Sequence, residues 1–497
     1  MMNKELSTVT KQSGMVFTGK IIALIFGLFL NFLAARFLGA EIYGKFMFVF
    51  NFISFFPVLV LVGLQQGLVY FIPKFDDNEE KAQRNNLITF SYFLVFSLSL
   101  IVITLIYFNS NFIAAKLLNS PQLEHLLKLM APLILFIALG QLSQGVFRGI
   151  KKIKFYVFNQ DILVPITKII VLIIAIILGS QLYSLAIAFY CSLIFGTLYL
   201  LTTVYRLGLL SKFSLNPLKH YKELLKFSLP LLLTGFLAVI SQRTDSLMIG
   251  YFLNETQVGI YDIALKIGTL SSFILVAFNT MFAPTISSLY HRNDLATLSS
   301  MYKAITKWVV GVNLITFSVI LLFGQDIMHI FGKEFIAGST ALVLVGIGQI
   351  VNAGVGSAGY ILIMTGNPHY EMYLNFLVVF INVTLNLLLI PLYGIEGAAL
   401  ASLVSVAIAN IVKLLLVYRK HRLHPYNLNY IKLICSIVFS LLVTQWLKSL
   451  LTLSWYSEFI LLSLLLVLLS GLIYYIFGLD TEDKMVIRSI TKKINKK

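Results

Sequence analysis

Residues 14–36 read GMVFTGKIIALIFGLFLNFLAAR, a run whose one internal charge is Lys20. As a helix rising 1.5 Å per residue it is about 35 Å long, enough to cross a hydrocarbon core of about 30 Å. A cleavable signal peptide has an apolar core of only about 7–15 residues, so this run reads as a retained span. Comparable windows recur near 44–71, 87–108, 124–147, 157–178 and 182–205. A second set follows near 224–252, 258–289, 300–323, 339–364, 372–392 and 395–418, and a final pair near 429–447 and 457–478. The fold class is therefore an all-α polytopic membrane protein of about fourteen transmembrane helices.

Composition agrees. Hydrophobic residues make up 58% of the chain and charged residues 12%, against about 25% charged in soluble domains. No polar stretch is long enough to form a separate soluble domain. The net charge of +17 needs no nucleic-acid partner, because Lys and Arg collect on the cytoplasmic side of membrane proteins. Cys191 and Cys435 both lie in apolar runs, which indicates neither a structural disulfide nor a zinc site.

Cation placement sets orientation. With the N-terminus inside, Lys74, Lys81, Arg84, Arg148, Lys151, Lys152, Lys154, Arg206, Lys222, Arg292, Arg419, Lys420 and Arg422 all fall in cytoplasmic loops. Outside loops hold only scattered cations such as Lys116, Lys128, Lys333 and Lys448. An even number of spans, with both termini cytoplasmic, satisfies this asymmetry.

Landmarks recur at an offset of about 215 residues. Phe37-Leu38 with Gly44 matches Phe252-Leu253 with Gly259, Thr18-Gly19 matches Thr234-Gly235, and Gly149 with Tyr156 matches Gly366 with Tyr373. Asn159 matches Asn375, and Gly179 matches Gly394. A repeat of six spans enters the membrane twice in the same direction, as in parallel-repeat transporters. The expected organisation is an N-terminal six-helix bundle (1–206) and a cytoplasmic amphipathic linker (207–222), followed by a C-terminal six-helix bundle (223–420). An additional helix pair (428–478) and a basic cytoplasmic tail (479–497) complete it. The linker reads equally as an interfacial stretch or a solvated connection. Two facing bundles leave a cleft suited to alternating access.

Charges within spans are costly and usually face a cavity. Lys307 and Lys413 lie near helix ends, where snorkelling to water is available, and Asp161 lies near the start of its span. Lys20, Lys168, Arg243, Asp245 and Lys266 are deeper, and Asp262 is one turn before Lys266. Each can belong to an interhelical ion pair. As a set, the cations outnumber the deep acids, which calls for an anion; Arg suits bidentate phosphate binding and Lys supplies a point charge. Gln65, Gln141 and Gln144 are candidates for facing sugar hydroxyls, with helix packing as the plainer use of such amides. Pro57, Pro132, Pro165, Pro230 and Pro284 can kink spans.

The run Ala34-Ala35-Arg36-Phe37-Leu38-Gly39-Ala40-Glu41-Ile42-Tyr43-Gly44 resembles the first-loop signature of polysaccharide-export flippases. These are the Wzx-like branch of the multidrug/oligosaccharidyl-lipid/polysaccharide (MOP, MATE-like) superfamily. Arg243 to Phe252, with Val258-Gly259-Ile260-Tyr261 after it, resembles the matching signature of the second half. The resemblance covers essentially the whole chain. It implies a flippase moving an undecaprenyl-pyrophosphate-linked oligosaccharide between leaflets for polysaccharide export. It also implies a cationic cavity holding the pyrophosphate, a role falling on Arg243 and Lys20, then Lys168, with Lys266 as a further cavity cation. Asp245 would bind a coupling cation or proton. Membrane lipids and polymerase or export machinery are the implied partners, around a monomeric transport unit. No cofactor or resident metal is implied, and no phosphate-binding loop supports ATP hydrolysis.

Alternatives remain open at this point. A multidrug exporter of the same fold typically has twelve spans, and the added pair at Leu428 to Phe477 weighs against it. A peptidoglycan-precursor flippase also has fourteen. A membrane-embedded glycosyltransferase or polymerase would carry a large outside loop with catalytic Arg, Asp or His, and the outside loops here are short.

Overall fold

A computed structural model describes residues 2–75, 81–210, 218–451 and 454–477, without the side chains of 2–17, 218, 219 and 281. Every element among them is helical. Lipid offers the backbone no hydrogen-bond partner, so so apolar a chain must satisfy its amides within helices. Ten helical segments are long and apolar enough to cross a membrane. The count is twelve if two bent pairs, Pro121–Met130 with Leu133–Gly149 and Glu255–Gly268 with Ser272–Thr280, are one span each. Two segments are too long for a single crossing: Thr18–Phe75 has 58 residues and Pro368–His421 has 54, about 80–90 Å each at 1.5 Å per residue. Each contains a glycine outside the helical region, Gly39 (φ 78°, ψ 170°) and Gly394 (φ 61°, ψ −137°). A residue without Cβ adopts such angles readily. Dividing both segments there adds two crossings to the twelve and recovers the fourteen expected from hydropathy. Residues 211–217 of the expected linker and all of the basic tail lie outside the described residues.

The chain forms two compact units, residues 1–262 and 263–497. The first contains α1 (Met2–Ile53), α2 (Phe56–Leu61), α3 (Leu64–Phe71), α4 (Lys81–Phe108), α5 (Leu133–Gly149), α6 (Val164–Ile177), α7 (Ser184–Arg206), α8 (Leu218–Phe252) and the start of α9 (Glu255–Gly268). The seventh span, α8, thus counts with the first six. It packs on α1, α2 and α3, while α3 and α4 pack on α5, and α6 on α7.

The second span comes in three pieces: the end of α1, then α2, then α3. Pro57 opens α2, and Val62 (φ 50°) with Gly63 (φ 73°) separates α2 from α3. A left-handed conformation costs a β-branched residue roughly 1–2 kcal/mol. Close packing holds it there: Gly145 of α5 lies against the Gln65 backbone, and Gly63 against the Ser228 carbonyl of α8. The Tyr92 hydroxyl of α4 shares a 2.7 Å hydrogen bond with Ser143 of α5. Small residues and such bonds hold helices together where lipid removes the hydrophobic incentive.

A close helix crossing of this unit joins α1, beyond its bend, to α9. Gly44 faces the Glu255 carbonyl and Gly259 faces the Ala40 carbonyl, with a Cβ on Gly259 placed 3.0 Å from the Gly44 nitrogen. Any side chain at either glycine would meet backbone.

The second unit contains α10 (Ser272–His291), α11 (Leu295–Phe331), α12 (Ser339–Val355), α13 (Pro368–His421), α14 (Asn429–Leu450) and α15 (Trp455–Ile476), with the end of α9. Its core packs α12 between α11 and α13, with Phe282, Ile286, Leu298, Tyr302, Val355, Ile361 and Val417 in one apolar cluster. Asn382 donates to Ser402 (3.0 Å), Asn386 to Asn382 (3.1 Å) and Asn410 to Asn352 (3.3 Å). Two lysines depart from the snorkelling expected of them, because partners are at hand inside the unit. Lys307 is only 2% exposed, 5.9 Å from the Tyr474 ring, and Lys413 pairs with Glu371 at 2.8 Å. The pair α14 and α15 docks on α11: Lys448 donates to the Leu322 carbonyl (2.7 Å) and lies 4.1 Å over the Phe323 ring. Gly179 (φ 77°) and Gly394 (φ 61°), matched by the sequence repeat, each occupy the turn between the fifth and sixth spans of their half.

Candidate functional site: a cationic, amide-lined cavity

Within the first unit, α1, α2, α3, α5, α6, α7 and α8 surround a cavity of about 490 Å³, inside the range of about 300–1,000 Å³ common for ligand sites. Two cations line it, Arg243 and Lys168. Six amides join them: Gln65, Gln141, Gln144, Asn159, Gln160 and Gln242. Phe50, Phe136, Phe189 and Tyr156 supply aromatic walls, and no carboxylate is among the lining residues.

Arg243 enters from α8. Its Nη1 donates to Asn51 Oδ1 at 2.9 Å, and its guanidinium carbon is 6.0 Å from the Phe50 ring centroid. A fork held by one hydrogen bond keeps its remaining donors for a ligand. Lys168 projects from α6 over the face of Phe189 of α7, with Nζ 3.7 Å from the ring centroid; the ring quadrupole attracts the half-buried ammonium. Opposite, Gln65 Nε2 donates to Gln144 Oε1 at 2.5 Å. The break at Val62–Gly63 is what turns Gln65 of α3 toward α5.

The other expected site residues lie elsewhere. Lys20 is exposed, does not line the cavity, and acts electrostatically on Asp161. Asp245 is 7% exposed and accepts from the Tyr261 hydroxyl at 2.7 Å; Asp262 is 3% exposed and accepts from the Tyr43 hydroxyl at 2.5 Å. Tyr43 oxygen is also 3.0 Å from Asn31 Oδ1. Asp262 still exerts a Coulombic effect on Arg243. Lys266 follows Asp262 by one turn of α9 and falls in the second unit.

The structure thus gathers Arg243, Lys168, Gln65, Gln141 and Gln144 around one space. It adds lining residues not read as site residues from sequence, Asn159, Gln160, Gln242 and Tyr156, and behind them Asn51 as the acceptor for Arg243. Some signal existed. Gln242 belongs to the polar run around Arg243, and Asn159 and Tyr156 are repeat landmarks. A π-turn over Asn159–Leu163 brings Asn159 and Gln160 to the cavity; such turns are frequent at functional sites.

A family model described as polysaccharide biosynthesis protein matches residues 9–290, and one described as MatE matches 230–388. A probable flippase, AglR, of Haloferax volcanii is 29% identical over 174 residues, covering 34% of this chain and 36% of that protein. The capsular polysaccharide biosynthesis protein CapF of Staphylococcus aureus is 18% identical over 195 residues, 39% of this chain and 49% of the other. The chain therefore spans between about a third and a half of the length of these curated relatives. Among solved structures, the lipid II flippase MurJ in an inward closed conformation superposes with a TM-score of 0.76 at 18% identity, covering 93% of this chain and 98% of the other. An inward-facing multidrug resistance MATE transporter gives 0.67 at 15%, covering 79% and 94%. At such identities the likeness shows a shared polytopic fold.

Proposed function

We propose that this chain, which belongs to the polysaccharide biosynthesis protein family, is a flippase for a lipid-linked oligosaccharide of the undecaprenyl-pyrophosphate type. It carries the glycan across the cytoplasmic membrane by alternating access for polysaccharide export, as a transporter rather than an enzyme. One observation carries the reading: the cavity holds two cations and six amides with no carboxylate. In a cleft lined by two cations a positive field favours a multiply charged anion. Arg243 grips a diphosphate through its fork and Lys168 adds a point charge, while the amides offer donors and acceptors to sugar hydroxyls.

The same chemistry disfavours a cationic drug, which would need an acid in the cavity. Asp245 and Asp262 accept from tyrosine hydroxyls, and Asp161, next to Gln160 in the chain, is not among the lining residues. In this reading α14 and α15 flank a groove for the prenyl tail. Both termini are cytoplasmic, by the cation asymmetry of the loops, and polymerase or export machinery receives the glycan on the far side.

Reconstitution tests this. Proteoliposomes with a labelled prenyl-diphosphate glycan in one leaflet should show protein-dependent translocation that Arg243→Ala slows strongly. Wild-type protein that moves no such lipid, or transfers its sugar to an acceptor without translocation, refutes the proposal.

A further inference from the structure

Beside the tight contact of Gly63 and Gly67 with Ser228, the junction of α3 and α8 carries a second space, a groove of about 470 Å³. Gln66, Val69, Tyr70, Phe227, Leu231 and Thr234 line it. Gln66, Tyr70, Phe227 and Thr234 are exposed, so the groove opens sideways from the helices, toward lipid.

Its polar groups stand in a definite order. The Tyr70 and Phe227 rings stack at 4.4 Å, 10° from parallel. Lys74, in the turn after α3, sets its Nζ 4.1 Å from the Tyr70 ring centroid and 4.8 Å from that of Phe71. The rings thus draw the ammonium back along α3 and keep it beside the groove. Gln66 precedes Tyr70 by four residues, about 6 Å deeper along the helix. Neither the Gln66 amide nor the Tyr70 hydroxyl has a hydrogen-bond partner among the described residues. An amide in hydrocarbon is costly unless a neighbour satisfies it. A cation at the rim, an amide donor one turn deeper and an otherwise largely apolar lining repeat the layout of a glycerophospholipid: phosphate, ester carbonyls, acyl chain. A prenyl chain has no ester and would leave Gln66 unsatisfied. Exposed Lys74, Lys222 and Lys226 outnumber exposed Glu223 at this end of the two helices, which favours an anionic headgroup.

We propose that this groove binds one anionic glycerophospholipid of the cytoplasmic leaflet, with Lys74 on its phosphate, Gln66 on an ester carbonyl and an acyl chain along Phe227 and Leu231. The leaflet follows from the orientation proposed above. Because α3 turns Gln65 into the cationic cavity and Gln66 into this groove, the lipid lies against the back of the cavity wall.

Native mass spectrometry of the full-length protein, titrated with phosphatidylglycerol in detergent, tests this. One molecule should be retained more tightly than any phosphatidylcholine. Lys74→Gln should weaken that binding about ten-fold and Gln66→Leu about five-fold, the worth of a charged and of a neutral hydrogen bond. Lys152→Gln removes an exposed cation of the α5–α6 connection and should change nothing. Both groove positions are exposed, so the unfolding temperature in lipid-free detergent should hold; if one variant unfolds, the other decides. Equal retention of phosphatidylcholine, wild-type affinity in the groove variants, or an equal loss in Lys152→Gln overturns the site. Displacement of the phosphatidylglycerol by an equal concentration of a prenyl diphosphate would give the groove to a transport substrate and overturn it as well.

Discussion

Arg243→Ala is the perturbation whose size the geometry best defines. Among the described residues the guanidinium donates to Asn51 Oδ1 at 2.9 Å, and Arg243 lines the cavity. Hydrogen bonds to charged groups contribute about 1.5–3 kcal/mol each. Losing a two-pronged grip on a phosphate therefore costs about 3 kcal/mol or more, a factor on the order of 100 in affinity. Arg243→Lys keeps the charge and loses the fork, so it should fall between, at about ten-fold. The substitution also strips Asn51, whose Nδ2 already lacks a partner and which is fully buried. That adds a stability loss of about 1–3 kcal/mol unconnected with substrate. Thermal unfolding in detergent separates the two effects: Asn51→Leu should reproduce much of the stability loss and little of the binding loss. Isothermal titration with a prenyl diphosphate measures the remainder. If Arg243→Ala binds within about two-fold of wild type, below even one such hydrogen bond, Arg243 is a structural residue and the cavity argument fails at its main anchor.

Other predictions follow from the packing. Gly44→Ala drives a methyl onto the Glu255 carbonyl and should lower the unfolding temperature by the equivalent of about 1–3 kcal/mol. Gly27→Ala, with open space around it, should not, and equal effects would refute the close contact. Tyr43→Phe removes the donor to buried Asp262, costing about 1–3 kcal/mol; the double variant with Asp262→Asn should cost less than the sum of the singles in the same unfolding assay. Asp294 caps α11 by accepting the Thr297 N–H, which holds its carboxyl below the ordinary value. Its stabilising contribution is therefore complete above the unfolded value and lost as pH falls through the folded one. Asp294→Asn should abolish that acid-side slope in a pH series of unfolding temperatures, and an unchanged slope would remove the cap from consideration.

Much of the fold was legible because a crossing has a fixed minimum length and lipid forbids polar interruption. That logic located even the crossings hidden within the helices that bend at Gly39 and Gly394. It did not reveal the breaks at Ser54–Phe55 and Val62–Gly63, where the chain remains apolar and only backbone angles change; Pro57 was the one local sign. Among site residues, Arg243 and Lys168 announced themselves by charge at depth. Depth alone does not give direction, and Lys20, equally deep in its run, is exposed outside the cavity lining. Asn159 and Gln160 were not legible as cavity residues because the π-turn that they open leaves no mark in the spacing of apolar residues. The tyrosine partners of Asp245 and Asp262 depend on helix neighbours that spacing along the chain does not specify.

The crossing of α1 and α9 bears on the chain's ancestry. Gly44 rests on the carbonyl of residue 255, and Gly259 on that of residue 40. Shifted by the repeat offset of about 215, Gly44 becomes Gly259 and Ala40 becomes Glu255. The contact is therefore reciprocal: each copy presents to the other the same glycine and the same carbonyl. Such exchange is the mark of an isologous interface, in which one patch pairs with itself across a local two-fold axis. A half-length forebear with a single glycine at this place would already have owned its partner in a second copy of itself. Fusion of two such copies would turn an encounter between two molecules into a permanent intramolecular joint, leaving the two glycines free to acquire different neighbours, such as Tyr43 beside one and Asp262 beside the other.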